Sequence, residues 1–266
     1  MLLRAPIIVV KIAAAVVISG AAGQNLLAEI HGGDAIRLAK SFEGGKELSR
    51  AFLTAANSSS EGDSPSCIDD LSRAATTLRL VDFDLSTTSS TPDAGAPATA
   101  ALAAVDRRLA CVPTDGNAWF WRARLLVVTG AGQSAMETAL GNSYRLAPAE
   151  KWIMEPRWAF ASALYPTLSP TLQVLFTIDQ RRLIDFESVD WIAKSYVAAD
   201  AGIRSRMVDQ MRQQTDDRQK KIAELTDSLG LTFITSEGCT TIDWTGLGSS
   251  PSKTNPTAGK PGDCIR

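Results

Sequence analysis

The chain has 266 residues, 45% of them apolar, with 27 basic and 29 acidic side chains for a net charge of −2. A chain of that length and composition can bury a full core, which excludes global disorder. Both signs of charge are interspersed, and with no basic stripe to follow a phosphate backbone, nucleic acid is excluded as a partner.

The first residues read as an export or anchoring segment: Arg4 precedes Pro6 to Val10, Lys11 interrupts, and Ile12 to Gly23 is continuously small or apolar. Two readings follow. With Lys11 in the charged lead, 12–22 is an 11-residue signal-peptide core, and Ala21-Ala22-Gly23 offers cleavage near Gln24. With Lys11 snorkelling toward the headgroups, the run from Ile7 to Ala28 forms one tilted membrane helix of roughly 20 residues. Arg4 and Lys11 on the leading side, with no early acid, fit a positive-inside orientation. We favour the anchor: 1–30 crosses an inner membrane once and the main domain lies in the periplasm, with a cleaved, periplasmic form as the alternative. No cysteine follows the small residues, so a lipoprotein is not supported.

Asp34 can cap a helix over 35–42, with Ile36 and Ala39 on its apolar side, and a second over 47–56 carries Leu48, Phe52 and Ala55 at helical spacing. Gly44-Gly45 lies between them, so the two form a short hairpin. Residues 57–66 read as a loop. Ile68, Leu71, Ala75 and Leu78, at spacings of 3, 4 and 3, predict an amphipathic helix over 67–80. The Ser/Thr/Pro/Gly-rich stretch 86–97 predicts a second, mobile loop.

Helices follow over 98–110 (Leu102, Val105, Leu109), 118–128 (Trp119, Phe120, Trp121, Leu125, Leu126) and 134–146 (Met136, Ala139, Leu140, Tyr144), separated by the Thr114-Asp115-Gly116 turn and by Gly130 and Gly132. Further helices are predicted over 152–164, entered or interrupted at Pro156, from Ser169-Pro170 through Leu183, and over 188–199. From Arg204, residues Val208, Met211, Thr215, Arg218, Ile222, Leu225 and Leu229 alternate spacings of 3 and 4. That is a heptad phase, predicting one long amphipathic helix over 201–230 that lies along the stack, or else a self-associating coiled coil. Residues 231–235 could form a short strand, and the tail to 266 is turn-rich.

Four cysteines, an even number, suit a compartment in which disulfides persist. Three pairings are possible; Cys239 with Cys264 is preferred because both lie in the irregular tail, leaving Cys67 with Cys111. Two buried free thiols are the other reading of that second pair. None shows metal spacing.

Chemistry is hard to place. The single histidine, His31, falls at the junction after the apolar segment, which argues against a Ser-His-Asp or Cys-His centre. Gly44-Gly45-Lys46 is followed by Glu47 where a phosphate loop needs Ser or Thr, and Ser250-Pro251-Ser252-Lys253 lies in a proline-rich tail unlike the helix start that a Ser-x-x-Lys enzyme uses. Asp185, Glu187 and Asp190, beside Phe186 and Trp191, are the acids a carbohydrate-cleaving enzyme would need; capping and surface charge explain them more simply. The aromatic cluster can be inter-helix packing, or a groove for a glycan or peptide. The candidate groove residues are Trp119, Trp121, Arg122, Tyr144, Trp152 and Trp158. Arg122, Arg124, Arg145 and Arg157 could meet an anionic polymer, although pairing with Glu137, Glu150 and Glu155 is simpler. No cofactor, metal site or catalytic residue is assigned.

Pro113 and Pro148 close near-identical helix ends, Leu109-Ala110-Cys111-Val112-Pro113 and Tyr144-Arg145-Leu146-Ala147-Pro148, 35 positions apart, close to the ~34-residue tetratricopeptide period. With the runs Pro113 to Trp119 and Ser143 to Ile153, the stretch from Ala98 to Phe186 resembles the tetratricopeptide-type exported or membrane-anchored proteins of bacteria associated with extracellular polysaccharide production. Arg124 stands where that pattern wants a small residue. The resemblance implies an all-α, irregular helical-hairpin stack over 34–200 and a non-catalytic periplasmic scaffold in polysaccharide assembly or export, whose partners are the membrane, other cell-envelope proteins and a glycan. The alternative is a periplasmic carbohydrate-active enzyme or glycan-binding protein.

Overall fold

The computed structural model describes residues 33–44, 53, 67–88 and 95–230, and among them all regular structure is helical, as the all-α expectation required. The chain divides into two units, 1–146 and 147–266. The first holds α1 (33–43), α2 (Asp69–Thr88), α3 (Gly95–Cys111), α4 (Gly116–Val128) and α5 (Gln133–Leu146). The second holds α6 (Lys151–Leu164), a 3-10 turn (Tyr165–Thr167), α7 (Pro170–Phe186), α8 (Val189–Ala198), α9 (Ala201–Met211) and α10 (Asp216–Ser228).

In the first unit each helix from α2 onward packs on the next: α2 on α3, α3 on α4, α4 on α5. Helix α2 buries two faces rather than the one stripe its spacing suggests. Ala74, Leu78 and Val81 pack with Ala35, Ala39 and Leu53, while Leu80 and Phe83 join Ala98, Ala101, Val105, Leu109 and Leu125. Alanines at 98, 101 and 104 are buried and keep the α3 surface low where its neighbours pack.

The loop expected over 86–97 is shorter than its composition implies. Ser86 to Thr88 finish α2 and Gly95 to Pro97 begin α3. The Ser86 hydroxyl donates to Phe83 O at 2.7 Å and that of Thr87 to Asp84 O at 2.8 Å, so these residues bond back to the helix they extend. Pro97 is tolerated because a first-turn residue has no intrahelical acceptor for an N–H.

Helix α4 ends where Gly130 takes φ +72°, with Ala131 N donating to Leu126 O and Gly130 N to Val127 O. This is the paired 6→1 and 5→2 closure that only a left-handed residue completes without strain. The Cys67–Cys111 bond joins the residues just ahead of α2 to the last residue of α3, with Cα atoms 5.3 Å apart. The reading of these two cysteines as free thiols is thereby set aside.

The second unit mixes sequential neighbours with pairs that skip one helix along the chain. Helix α7 packs on α6 and α9, and α8 packs on α10 and α9. Arg182 donates to Pro148 O and Lys151 pairs with Glu187 at 2.7 Å, which places the start of α6 beside the end of α7.

The single long helix expected over 201–230 is two helices, α9 and α10, separated at residues 212–215. Thr215 adopts φ −64°, ψ 149° and stands at the N-cap of α10, followed by Asp216 and Asp217 in the first turn, where carboxylates favour the helix dipole. Gln219 holds the turn through its amide, 2.9 Å from Gln214 O. Arg218, the other polar member of the heptad seam, bonds Ile184 O at 2.8 Å and Glu187 O at 2.6 Å, satisfying carbonyls at the end of α7.

No helix among the described residues is long and apolar enough to cross a membrane. The expected anchor, His31, the helix over 47–56 apart from Leu53, the strand over 231–235, and the tail with Cys239 and Cys264 lie outside the described residues.

Candidate functional site

The most developed polar arrangement in the first unit is built around Arg108 on α3. Asp115 ends the α3–α4 turn and caps α4: one carboxylate oxygen accepts from Ala118 N at 3.0 Å and the other from Arg108 Nε at 2.9 Å. The far end of the Arg108 guanidinium bonds the carboxylate and carbonyl of Asp69 and the Ser72 hydroxyl at the start of α2. One cation therefore joins three helices, at 8% exposure. Burial works against its charge, but the hydrogen bonds to Asp69 and Asp115 outweigh that and hold the guanidinium more firmly protonated than usual.

Beside this cluster opens a cleft of about 310 Å³ including its solvent-open mouth, lined among others by Arg73, Thr77, Arg108, Asp115, Asn117 and Trp121. Trp121 packs its inner part on the core shared by α2, α3 and α4. Arg124 lies 4.4 Å from its ring centroid, a cation–π contact that fixes the indole plane.

Of the six expected groove residues, Trp119, Trp121 and Arg122 are neighbours on α4 and half-buried. Trp119 donates from Nε1 to Pro113 O at 2.8 Å, with Arg122 5.7 Å from its ring centroid. Arg122 itself pairs with Asp106 at 2.7 Å. Tyr144 and Trp158 are each 4% exposed, and a ring so enclosed has no face to offer a ligand; both serve as packing. Trp152 and Trp158 belong to the second unit, where Trp152 is 62% exposed. Asp115 and Asn117 lie in the Pro113 to Trp119 run, whereas Arg73, Thr77 and Arg108 carried no local motif that would have singled them out.

The second unit hides a polar core that sequence spacing also missed. Arg157 is fully buried and pairs with Asp179, likewise buried, at 2.8 Å from Nε. Asp179 is thus a partner that the sequence reading, which weighed Glu150 and Glu155, did not name. Burial pushes the Asp179 carboxyl up to about 6, against the opposing pull of Arg157 and Arg182. Trp158, next along α6, stacks on Phe176 at 6.3 Å and meets Trp191 edge-on at 5.5 Å.

The three acids considered for glycoside cleavage are each committed to a neighbour. Asp185 accepts from Gln214 at 2.7 Å, Glu187 pairs with Lys151, and Asp190 pairs with Lys194 at 2.8 Å. Ser188 caps α8 by accepting from Trp191 N at 3.1 Å, the local role that the residue types predicted. No group of three metal-ligating side chains occurs among the described residues.

No protein-family model matches this chain, and no curated protein or solved structure does either.

Proposed function

We propose that the protein is a non-catalytic helical scaffold that binds a partner outside the cytosol, held at the membrane through residues 1–30 and serving polysaccharide assembly or export. The observation that carries the binding role is the chain-sequential packing of α2 to α5. Helices stacked in that order, in the manner of tetratricopeptide hairpins, leave a continuous lateral surface suited to a second macromolecule. The Cys67–Cys111 bond supports an oxidising compartment. The internal pairing of Arg108, Arg122, Asp185, Glu187 and Asp190 is what structural charges look like, and it favours binding over catalysis.

The test uses the full chain in intact cells, with a photo-crosslinking amino acid placed at Asn117 and, in a second strain, at Arg107 on the exposed side of α3. A discrete product containing an exported or membrane protein at either position is the expected result. Products only with cytosolic proteins, or none above the unirradiated control, would remove the proposal.

A further inference from the structure

We infer that Cys67 is a thiol-exchange site: it is the cysteine through which an exported dithiol–disulfide oxidoreductase makes the Cys67–Cys111 bond, with Cys111 as the resolving thiol. The inference goes beyond the scaffold proposal and does not depend on which macromolecule the helices bind.

The two halves of the clasp are unlike. Cys67 is exposed and stands in irregular backbone two residues ahead of α2, whereas Cys111 is partly buried and is the last residue of α3. The chain after Cys111 is held at once: Val112 N donates to Arg108 O at 2.8 Å, Asp115 N to Val112 O at 3.1 Å, and Trp119 Nε1 to Pro113 O at 2.8 Å. The α2 ladder starts at Ile68 O, which accepts from Ser72 N at 2.9 Å, so Cys67 lies outside it. A protein partner has to bring its own sulfur into line with the cysteine it engages, and access of that kind is offered by Cys67.

Charge acts in the same direction. The attacking form of a cysteine is the thiolate. Cys67 lies at the amino end of a 20-residue helix, where negative charge is stabilised, and Cys111 at the carboxyl end of α3, where it is not. Asp69 and Asp70 in the first turn of α2 would oppose this, but Asp69 is paired with Arg108, and Asp70 has Lys40 at 3.6 Å and Arg73 at 3.7 Å. Arg108, one turn before Cys111, has its charge balanced by Asp69 and Asp115 and so offers Cys111 little in compensation.

The reaction has two steps, each exchanging one S–S bond for another. The Cys67 thiolate attacks a sulfur of the partner's disulfide; a Cys67–partner bond forms, the partner's own S–S bond breaks, and its electron pair leaves on the partner's second sulfur. The Cys111 thiolate then attacks Cys67 Sγ, which forms the clasp and releases the partner as a dithiol. The two cysteines lose two electrons, the partner's disulfide gains them, and the two thiol protons end on the partner. Arg108, bonded to Asp69 and Ser72 at the start of α2, keeps the two helix ends together while the second step takes place.

The experiment uses the full chain with Cys239→Ser and Cys264→Ser, so that only the clasp cysteines react. Adding Cys111→Ala or Cys67→Ala leaves one thiol in each of two variants that lack the clasp equally, and their reaction with oxidised glutathione is followed by mass. Cys67 should form the mixed disulfide at least about tenfold faster than Cys111, and the two rates should converge in concentrated urea. If both variants already react at their urea rates in buffer, opening of the intact clasp carries the comparison: the oxidised chain is given limiting reduced glutathione, quenched in acid, and the first adduct is mapped. It should be on Cys67, because opening reverses closing. In cells, Cys111→Ala should accumulate an adduct between Cys67 and an exported protein with a Cys-x-x-Cys pair, and Cys67→Ala should accumulate at least about fivefold less. Equal or faster reaction at Cys111 in variants of intact helicity, or a first adduct on Cys111, would overturn the inference. Adducts of Cys67 in cells with small thiols alone would overturn it too, by removing the oxidoreductase.

Discussion

At the scale of single residues, Asp115 does two jobs that separate under substitution. As the cap of α4 it satisfies the Ala118 amide, and as a carboxylate it balances a nearly buried arginine. Asp115→Ala loses both and should cost about 2 kcal/mol or more, because the loss of a cap adds to a weakened buried pair. Asp115→Asn keeps an acceptor for the cap and should cost less. Urea unfolding of the two variants measures the difference, and equal losses would mean that the charge contributes nothing.

Asp179 makes the opposite kind of statement, since its carboxyl is raised to about 6 by burial in spite of Arg157. A group that holds its proton more tightly when folded contributes stability that is fully present below about pH 4, the ordinary aspartate range, and lost as pH rises through 6. The contribution of Asp179 to stability should therefore fall between pH 4 and pH 8. Asp179→Asn should flatten that part of the profile while costing about 3 kcal/mol overall, because a buried guanidinium loses its carboxylate. Denaturation midpoints across the range check both. An identical pH slope in the variant would contradict the assignment.

The local part of this chemistry was legible in the sequence. Thr114-Asp115-Gly116 reads as a turn into a helix, and Ser188 with Asp190 reads as a cap. The partnerships were not, since Arg108 meets Asp69 across 39 positions and Arg157 meets Asp179 across 22, separations at which a sequence alone carries no pairing signal.

At the scale of elements, apolar spacing located α3 to α8 to within a few residues. It misjudged α2, which is buried on two sides and continues through Ser86 and Thr87. It also misjudged 201–230, where the repeat of 3 and 4 spans α9 and α10 without requiring them to be one helix. The contrary signal was present: Thr215-Asp216-Asp217 is a cap followed by an acidic first turn, and the seam is polar just there.

That break yields a sharp prediction. Asp216 is the first residue of α10 and Thr215 ahead of it is extended, the two conditions under which proline is accommodated. Asp216→Pro should cost less than about 1 kcal/mol, whereas in the middle of a continuous helix it would cost about 3 kcal/mol or more. Thermal unfolding distinguishes the two. A second test is Gly130→Ala, which forces a Cβ into the left-handed region at the end of α4 and should cost about 1 kcal/mol; a neutral result would mean that the α4 terminus re-forms in another way.

At the scale of the whole molecule, the first unit is a chain-sequential stack, and in the second some neighbours are consecutive while α7 with α9 and α8 with α10 skip one helix. The resemblance read from Pro113 and Pro148 spans the boundary between them, and beyond it α7 packs on α9 as well as on its chain neighbour α6. Periodicity could not reveal this, because a helix that packs on the next helix and one that packs on the helix after it need the same apolar stripe.

The Cys67–Cys111 bond closes a loop with a sequence separation of 44, and in the chain-entropy view it stabilises the first unit by about 4 kcal/mol. Cys67→Ala with Cys111→Ala should accordingly raise hydrogen-exchange rates through α2 and α3. Arg108 and its two carboxylates would still tie the same helix ends.

The measurement that bears most directly on an extracytoplasmic, disulfide-clasped scaffold is the redox state of those two cysteines in living cells. Cells are quenched in acid, free thiols are alkylated before lysis, and the peptides carrying Cys67 and Cys111 are mapped without reductant. The predicted result is one disulfide-linked peptide pair in the bulk of the protein. Recovery of both cysteines as alkylated thiols would contradict it, placing the helical stack in a reducing compartment and removing the clasp from the working molecule.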